Sequence, residues 1–291
     1  MQTRKTVVAG QFYPGQHDAC IAEIHELLDE MPPNDSLPET IVGGIVPHAG
    51  WTFSGALAAM VFAAIRQRHE KVNTFVIFGA AHSYFGGTAA VCAAGAWQTP
   101  LGEAVVDEEL AQAVLSSANV TDEFSAHAAE HSIEVQIPFI QDIFPGAKIL
   151  PILVPPREQA VALGEAVGGI IERAEQKKIV CIGSTDLTHY GPSYGFTPMG
   201  VGKAALQWAK DVNDRRFIEP ALRMDAHGLL AAAAENCNAC GAGAAAATIA
   251  AAKHLGKSAG TLLAHTTSNE IMLEKMKTTS RDSVGYAAIV F

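Results

Sequence analysis

Apolar runs rich in β-branched residues alternate with helical patterns along most of the chain. The segment IVGGIV at 41–46 reads as a strand buried on both faces, closed by Pro47. A turn at 52–55 leads into a helix over 56–68, and TFVIF at 74–78 is the next strand, stopped by Gly79. Asp107 caps a helix to about residue 115, with acidic residues in the first turn where the dipole favours them. Residues 131–144 carry a helical pattern that closes at Pro145 and Gly146, with Pro138 placed to kink it. KILPILV at 148–154 is a strand whose internal proline predicts an edge or a bulge. A long helix over 158–176 and a buried strand, KIVCIG at 178–183, follow. Three further helices (201–214, 226–235 and 241–254) and two late strands (260–265 and 285–291) complete a count of six strands.

Buried strands separated by helices predict an α/β fold of three layers, α/β/α, with a largely parallel or mixed central sheet. With no internal repeat, low-complexity linker or shift in composition, residues 1–291 read as one domain. Hydrophobic residues make up 49% of the 291, enough for a large core without disulfides. Only 17% are charged, which leaves a surface that a second copy could cover, so a homo-oligomer is expected. The net charge of −10 argues against nucleic acid as a partner, and Lys177-Lys178 is the longest basic run. Five scattered cysteines do not form a disulfide framework and suit a reducing, cytoplasmic setting. MQTRKTVVAGQFYPG lacks the apolar stretch of a signal peptide. No segment reaches the ~18 apolar residues of a membrane span. GAGAAAATIAAA comes nearest and reads as a tightly packed core helix.

In open α/β sheets ligands bind beyond the carboxyl ends of the strands, and that rule selects among the eleven histidines. His48 follows the first strand in PHAGW, and His82 comes four positions after Phe78 in FGAAHS. Asp186 and His189 follow KIVCIG in STDLTHYG. Neutral imidazole is a common metal ligand, which makes His48 and His82 metal candidates. Asp186 and His189 share a face if their turn is helical, which permits a carboxylate to orient an imidazole. Cys240 directly precedes the helix over 241–254, where the dipole favours thiolate, a good ligand for a borderline-soft metal. The C-x-x-C of Cys237 and Cys240 also admits a redox pair or half a zinc site. Cys237, like Cys20, Cys92 and Cys181, reads better as a small buried hydrophobe. In AEHSIEVQ, His131 and Glu134 fall on one helix face, so His131 is either a partner of the metal site or part of a solvated helix start. His17, His25, His69 and His254 are expected on exposed positions, and His127, His227 and His265 stay unassigned.

PHAGW with a following S-G, GAAHS, EHSIE, STDLTHYG, NACG and the final DSVGYAA occur in this order in the Memo family, whose bacterial and archaeal members are called AmmeMemoRadiSam system protein B. The chain resembles that family over nearly its whole length. The resemblance implies a fold like that of the LigB-type class III extradiol dioxygenases, which use non-haem iron(II). It implies a metal pocket of His48, His82 and Cys240, lined by Asp186 and His189, with His131 nearby, and iron or copper as the metal. Two departures stand out. His82 is followed by Ser83 where many relatives carry a second histidine, and Cys240 stands where LigB-type enzymes place a carboxylate.

Three functions follow as expectations. The first is a metal-dependent, dioxygenase-like oxidoreductase with His189 as general base, oriented by Asp186, and His131 assisting. The second is a non-catalytic module that binds metal or a peptide in the reused pocket, lined by Trp51, Phe85 and Tyr190. The third is a zinc hydrolase, since zinc accepts histidine and cysteine ligands. The ligand is a small molecule or a peptide.

Overall fold

The computed structural model describes residues 2–29, 37–174 and 176–291. In chain order the first elements are β1 (Thr3–Arg4), α1 (His17–Asp29), β2 (Gly43–Val46), α2 (Trp51–Arg68), β3 (Thr74–Gly79), β4 (Ala89–Val91), β5 (Ala96–Thr99), β6 (Gly102–Val105), α3 (Glu108–Ser117) and β7 (Val120–Asp122). Next come α4 (Ile137–Ile143), β8 (Lys148–Leu153), α5 (Gln159–Arg173), β9 (Ile179–Ser184), β10 (His189–Tyr190), α6 (Lys203–Trp208) and α7 (Arg215–Leu222). The last are α8 (Ala226–Asn236), α9 (Ala242–His254), β11 (Thr261–Thr267), α10 (Ser268–Met276) and β12 (Ser283–Val290).

The main sheet runs β10-β12-β2-β9-β3-β8-β4-β7, with β11 also beside β12. Its centre is parallel: β2 pairs with β9, β9 with β3, and β3 with β8. β12 and β4 flank that centre in antiparallel sense. The sheet is open and mixed, between two helical layers, as the patterning predicts. All six expected strands form. A small second sheet, β1-β5-β6, ties the N-terminal segment to the body.

Two adjacent glycines show how closely the layers meet. A Cβ on Gly43 would lie 2.9 Å from the Cys181 carbonyl and 3.3 Å from Thr248 of α9. On Gly44 it would lie 2.6 Å from Val61 of α2 on the opposite face. Successive residues of a strand point to opposite sides, so bare positions let both helices approach β2. The alanines of α9 serve the same closeness: all of Ala242–Ala252 is buried.

Several expectations need correction. Pro151 lies in β8, an interior strand rather than an edge. It is tolerated because β4 pairs with β8 only at Ile152 and Leu153, and the Pro151 carbonyl still accepts from Cys92 N (3.0 Å). The helix expected over 131–144 is a 3-10 turn at Glu134–Gln136 followed by α4, and Pro138 opens α4 instead of kinking it. The helix expected over 201–214 is α6 followed by a π segment, Ala209–Asp214, that continues into α7. The helix expected over 158–176 ends at Arg173, and residue 175 lies outside the described residues. His69 is buried, its Nε2 2.6 Å from the Ile41 carbonyl. Cys237 is exposed, in left-handed conformation at the end of α8.

Candidate metal centre

The parallel strands β2, β9 and β3 are neighbours, so their carboxyl ends share one rim. His48 lies two residues past β2, His82 three past β3, and Asp186 two past β9. His131 arrives from the segment between two 3-10 turns, and Cys240 from the loop before α9. His48, His82 and His131 form one group whose ligand atoms all lie within 4.8 Å of one another. The His82 and His131 rings stack (4.8 Å, 7°), and His48 stands nearly perpendicular to both. An ion bonded to nitrogen at about 2.0–2.1 Å holds its ligands no more than about 4.2 Å apart, so the group sits close to coordination distance.

The surrounding bonds fix which nitrogens are free. His48 Nδ1 lies 3.0 Å from Ser184 Oγ. That hydroxyl donates its proton to the Ser132 carbonyl (2.7 Å) and accepts from Gln136 Nε2 (3.3 Å). With its single proton committed, Ser184 can only accept from His48, so His48 carries hydrogen on Nδ1 and a lone pair on Nε2. His82 Nδ1 donates to Glu130 Oε1 (3.0 Å), and His82 N donates to Oε2 (3.1 Å). Glu130 Oε1 also accepts from Ser132 N (2.8 Å) and lies 3.6 Å from His131 Nδ1. A buried carboxylate thus orients His82 as outer partners orient metal-bound histidines.

Electrostatics follow from burial and that carboxylate. Burial, reinforced by the two neighbouring imidazoles, holds His48 well below the usual histidine range. Burial also lowers His131, partly offset by Glu130. For His82 burial pulls downward, but the hydrogen bond and charge of Glu130 outweigh it and raise the ring. Burial pushes Glu130 up, yet His82 and Ser132 N more than compensate and hold it at about 2. Two rings are therefore biased toward the neutral form that a ligand needs, while Glu130 biases the third toward its protonated form, which a bound cation would oppose.

Cys240 stands at the edge of the group, its Sγ 3.1 Å from His48 Nε2 and accepting from Asp186 N (3.3 Å). His131, read from the sequence as either a partner of the metal site or part of a solvated helix start, is the residue grouped with the other two imidazoles. Burial, then the Asp186 charge, pushes the Cys240 thiol up, against the pull of the helix dipole. No helical turn joins Asp186 to His189. Asp186 Oδ1 accepts from His48 N (2.7 Å). His189 Nδ1 lies 3.0 Å from the Leu187 carbonyl, which only accepts, so Nδ1 carries the hydrogen and Nε2 is free.

Of the expected pocket aromatics, Trp51 and Tyr190 are buried in packing and Phe85 is 90% exposed. The rings that do border the site are Phe12, edge-on to His131 at 5.1 Å, and Tyr194, edge-on to His189 at 5.1 Å. Glu134 turns away from His131 to bind Arg4, Val7 N, Val8 N and Tyr13 OH. Glu130, Ser184 and Ser132 were not singled out from sequence. The clue for Glu130 was its place directly before His131 in the EHSIE motif.

An open α/β/α sheet with an imidazole group at its parallel strand ends, able to hold a metal ion, defines the class of this protein. The sequence profile described as Memo-like protein matches residues 4–290. The chain is 36% identical to a MEMO1 family protein of Pyrobaculum arsenaticum, covering 100% of this chain and 99% of that one. It is 35% identical to one of Methanopyrus kandleri (99% and 98% covered) and 36% identical to one of Pyrococcus furiosus (99% and 98%). The chain belongs to the Memo family. No helix among the described residues is long and apolar enough to cross a membrane.

Proposed function

We propose that this protein is a metal-dependent oxidoreductase of the dioxygenase-like kind, holding iron or copper on His48, His82 and His131 with Cys240 as a fourth donor. The observation that carries the reading is the convergence of three imidazoles, two of them held through Nδ1 by Ser184 and Glu130 with Nε2 turned away from those bonds. Nitrogen donors with a thiol suit late first-row metals over magnesium or calcium. The metal would supply redox chemistry and charge stabilisation. The chain's own residues do the rest: His189 accepts a proton at Nε2 from a substrate hydroxyl, and the buried Asp186 fixes the His48 backbone. Asp186 is itself raised by burial, offset in part by His189. Access comes from the side of His82 and His131, whose side chains are 31% and 25% exposed.

Elemental analysis of protein purified without added metal, with oxygen uptake on catechols, tests this. About one equivalent of iron or copper, lost in His48→Ala, is expected. Metal-loaded protein that consumes no oxygen with any catechol would remove the oxidoreductase reading. Zinc hydrolysis is the second reading, favoured by the three-imidazole set that catalytic zinc sites use. One equivalent of zinc with ester cleavage would select it.

A further inference from the structure

The helical run from Lys203 to Leu222 changes character in its middle, where the six residues Ala209–Asp214 are π-helical. π segments are rare and cluster at functional sites. This one ends on two consecutive polar residues that are both buried, Asn213 and Asp214. Neither bonds chiefly within its own helix. Asp214 Oδ1 accepts from Thr188 N (3.0 Å), and Oδ2 lies 2.9 Å from His265 Nε2 on β11. Asn213 Nδ2 donates to Thr188 Oγ1 (3.1 Å) and to the Asn236 carbonyl (3.0 Å). The Asn213 carbonyl accepts from Asn238 Nδ2 (3.0 Å).

Apart from His265, those partners lie on two segments. Thr188 sits between Asp186 and His189, and Asn236 and Asn238 lead into Cys240. We infer that Asn213 is a positioning residue that ties the segment carrying Asp186 and His189 to the segment carrying Cys240, with Asp214 beside it fixing Thr188 N in place. This deepens, and rests on, the assignment of those three residues to the site. One observation beyond the bonds supports it. β12 leaves Gly285 bare where a Cβ would lie 2.1 Å from Asp214 Oδ2, and Gly285 itself bonds Leu187 N (2.8 Å) and the Thr188 carbonyl (3.0 Å). The two segments also meet directly, through Cys240 N to the Asp186 carbonyl (3.3 Å) and Gly241 N to Thr185 Oγ1 (2.9 Å), and the π segment adds a second brace beyond them at Thr188.

The test needs no metal. In the full chain with Cys237→Ser, Cys240 is the one remaining cysteine that is not buried, since Cys20, Cys92 and Cys181 are. Its alkylation by iodoacetamide is followed by peptide mass. Asn213→Ala and Asp214→Ala are expected to speed the reaction about ten- to a hundredfold, the range for a lost buried hydrogen-bond partner. Asp214→Asn, which keeps an oxygen for Thr188 N, is expected to restore the parent rate. Thr188→Val, which removes one contact and leaves the helix intact, is expected to give a smaller acceleration should Asn213→Ala not fold. Leu110→Ala, in α3, serves as a control for destabilisation away from the site. Parent-like rates in Asn213→Ala and Thr188→Val, or equal acceleration in Leu110→Ala, would overturn the inference. Absence of metal in the parent would sink the metal reading alone and leave this comparison intact.

Discussion

Two buried polar clusters meet in the stretch HAAEHSIE, and they use the same residue types to opposite ends. Glu130 and His131 belong to the metal centre. His127 and Glu134, three residues to either side of that pair, belong to the N-terminal anchor. Glu130 spends its oxygens on His82 and Ser132 and stands beside three imidazoles whose ligand atoms lie within 4.8 Å of one another. Glu134 is saturated by Arg4, Val7, Val8 and Tyr13, and nothing of it is left to offer. Arg4 also binds the carbonyls of His127 and Glu130 and lies 4.4 Å over Trp97. The His127 ring is sealed, neither nitrogen meeting hydrogen-bond geometry although the Ala90 carbonyl lies close. A histidine becomes chemistry when its lone pair is left free and reachable, and structure when it is shut in.

The largest expected effect falls on the anchor. Arg4→Ala leaves the Glu134 carboxylate buried and unpaired, so the protein should lose about 3–5 kcal/mol in denaturant melts. Its metal content per folded molecule should not change, and loss of metal from folded Arg4→Ala would merge the two clusters into one. Next is the sealed ring. Burial lowers His127 from 6.5 to about 4. Below pH 6.5 the unfolded chain takes up a proton that the folded chain refuses. Stability is therefore whole above that pH and falls as pH drops toward 4, by about 3 kcal/mol from this group. His127→Phe should flatten that part of the pH–stability profile, and an unchanged acid limb would contradict it.

Smaller still is Glu130→Gln, expected to weaken metal binding about ten- to a hundredfold in chelator competition. Unaltered affinity would show that His82 needs no carboxylate to hold its orientation. Last, Cys237→Ser, at an exposed helix end, should stay within about 0.5 kcal/mol of wild type and keep its metal. Metal loss there would bring the whole C-x-x-C into the site.

The sequence made the sheet centre legible because β2, β3, β8 and β9 are buried on both faces and leave unbroken apolar runs. β6 and β7 escaped notice because they are short and half exposed, with no run to read. His48 and His82 could be selected by the strand-end rule alone. His131 could not, since its placement depends on a 3-10 turn where periodicity suggested a helix. The fate of Glu130 was equally hidden, because its partner His82 lies 48 residues away. For Cys240 the position before α9 was read correctly. The rise of its thiol was not legible, because burial depends on tertiary packing and works against a dipole that is visible locally.

The uneven footing of the three imidazoles has a kinetic meaning. His48 is clamped to the sheet through Ser184, while His82 and His131 ride on loops and face the solvent. An arriving cation meets the loop-borne pair first and the sheet-borne ring last. Entry of an ion held by all three would then pass the solvent-facing side of the cage, and its release would have to leave the buried one.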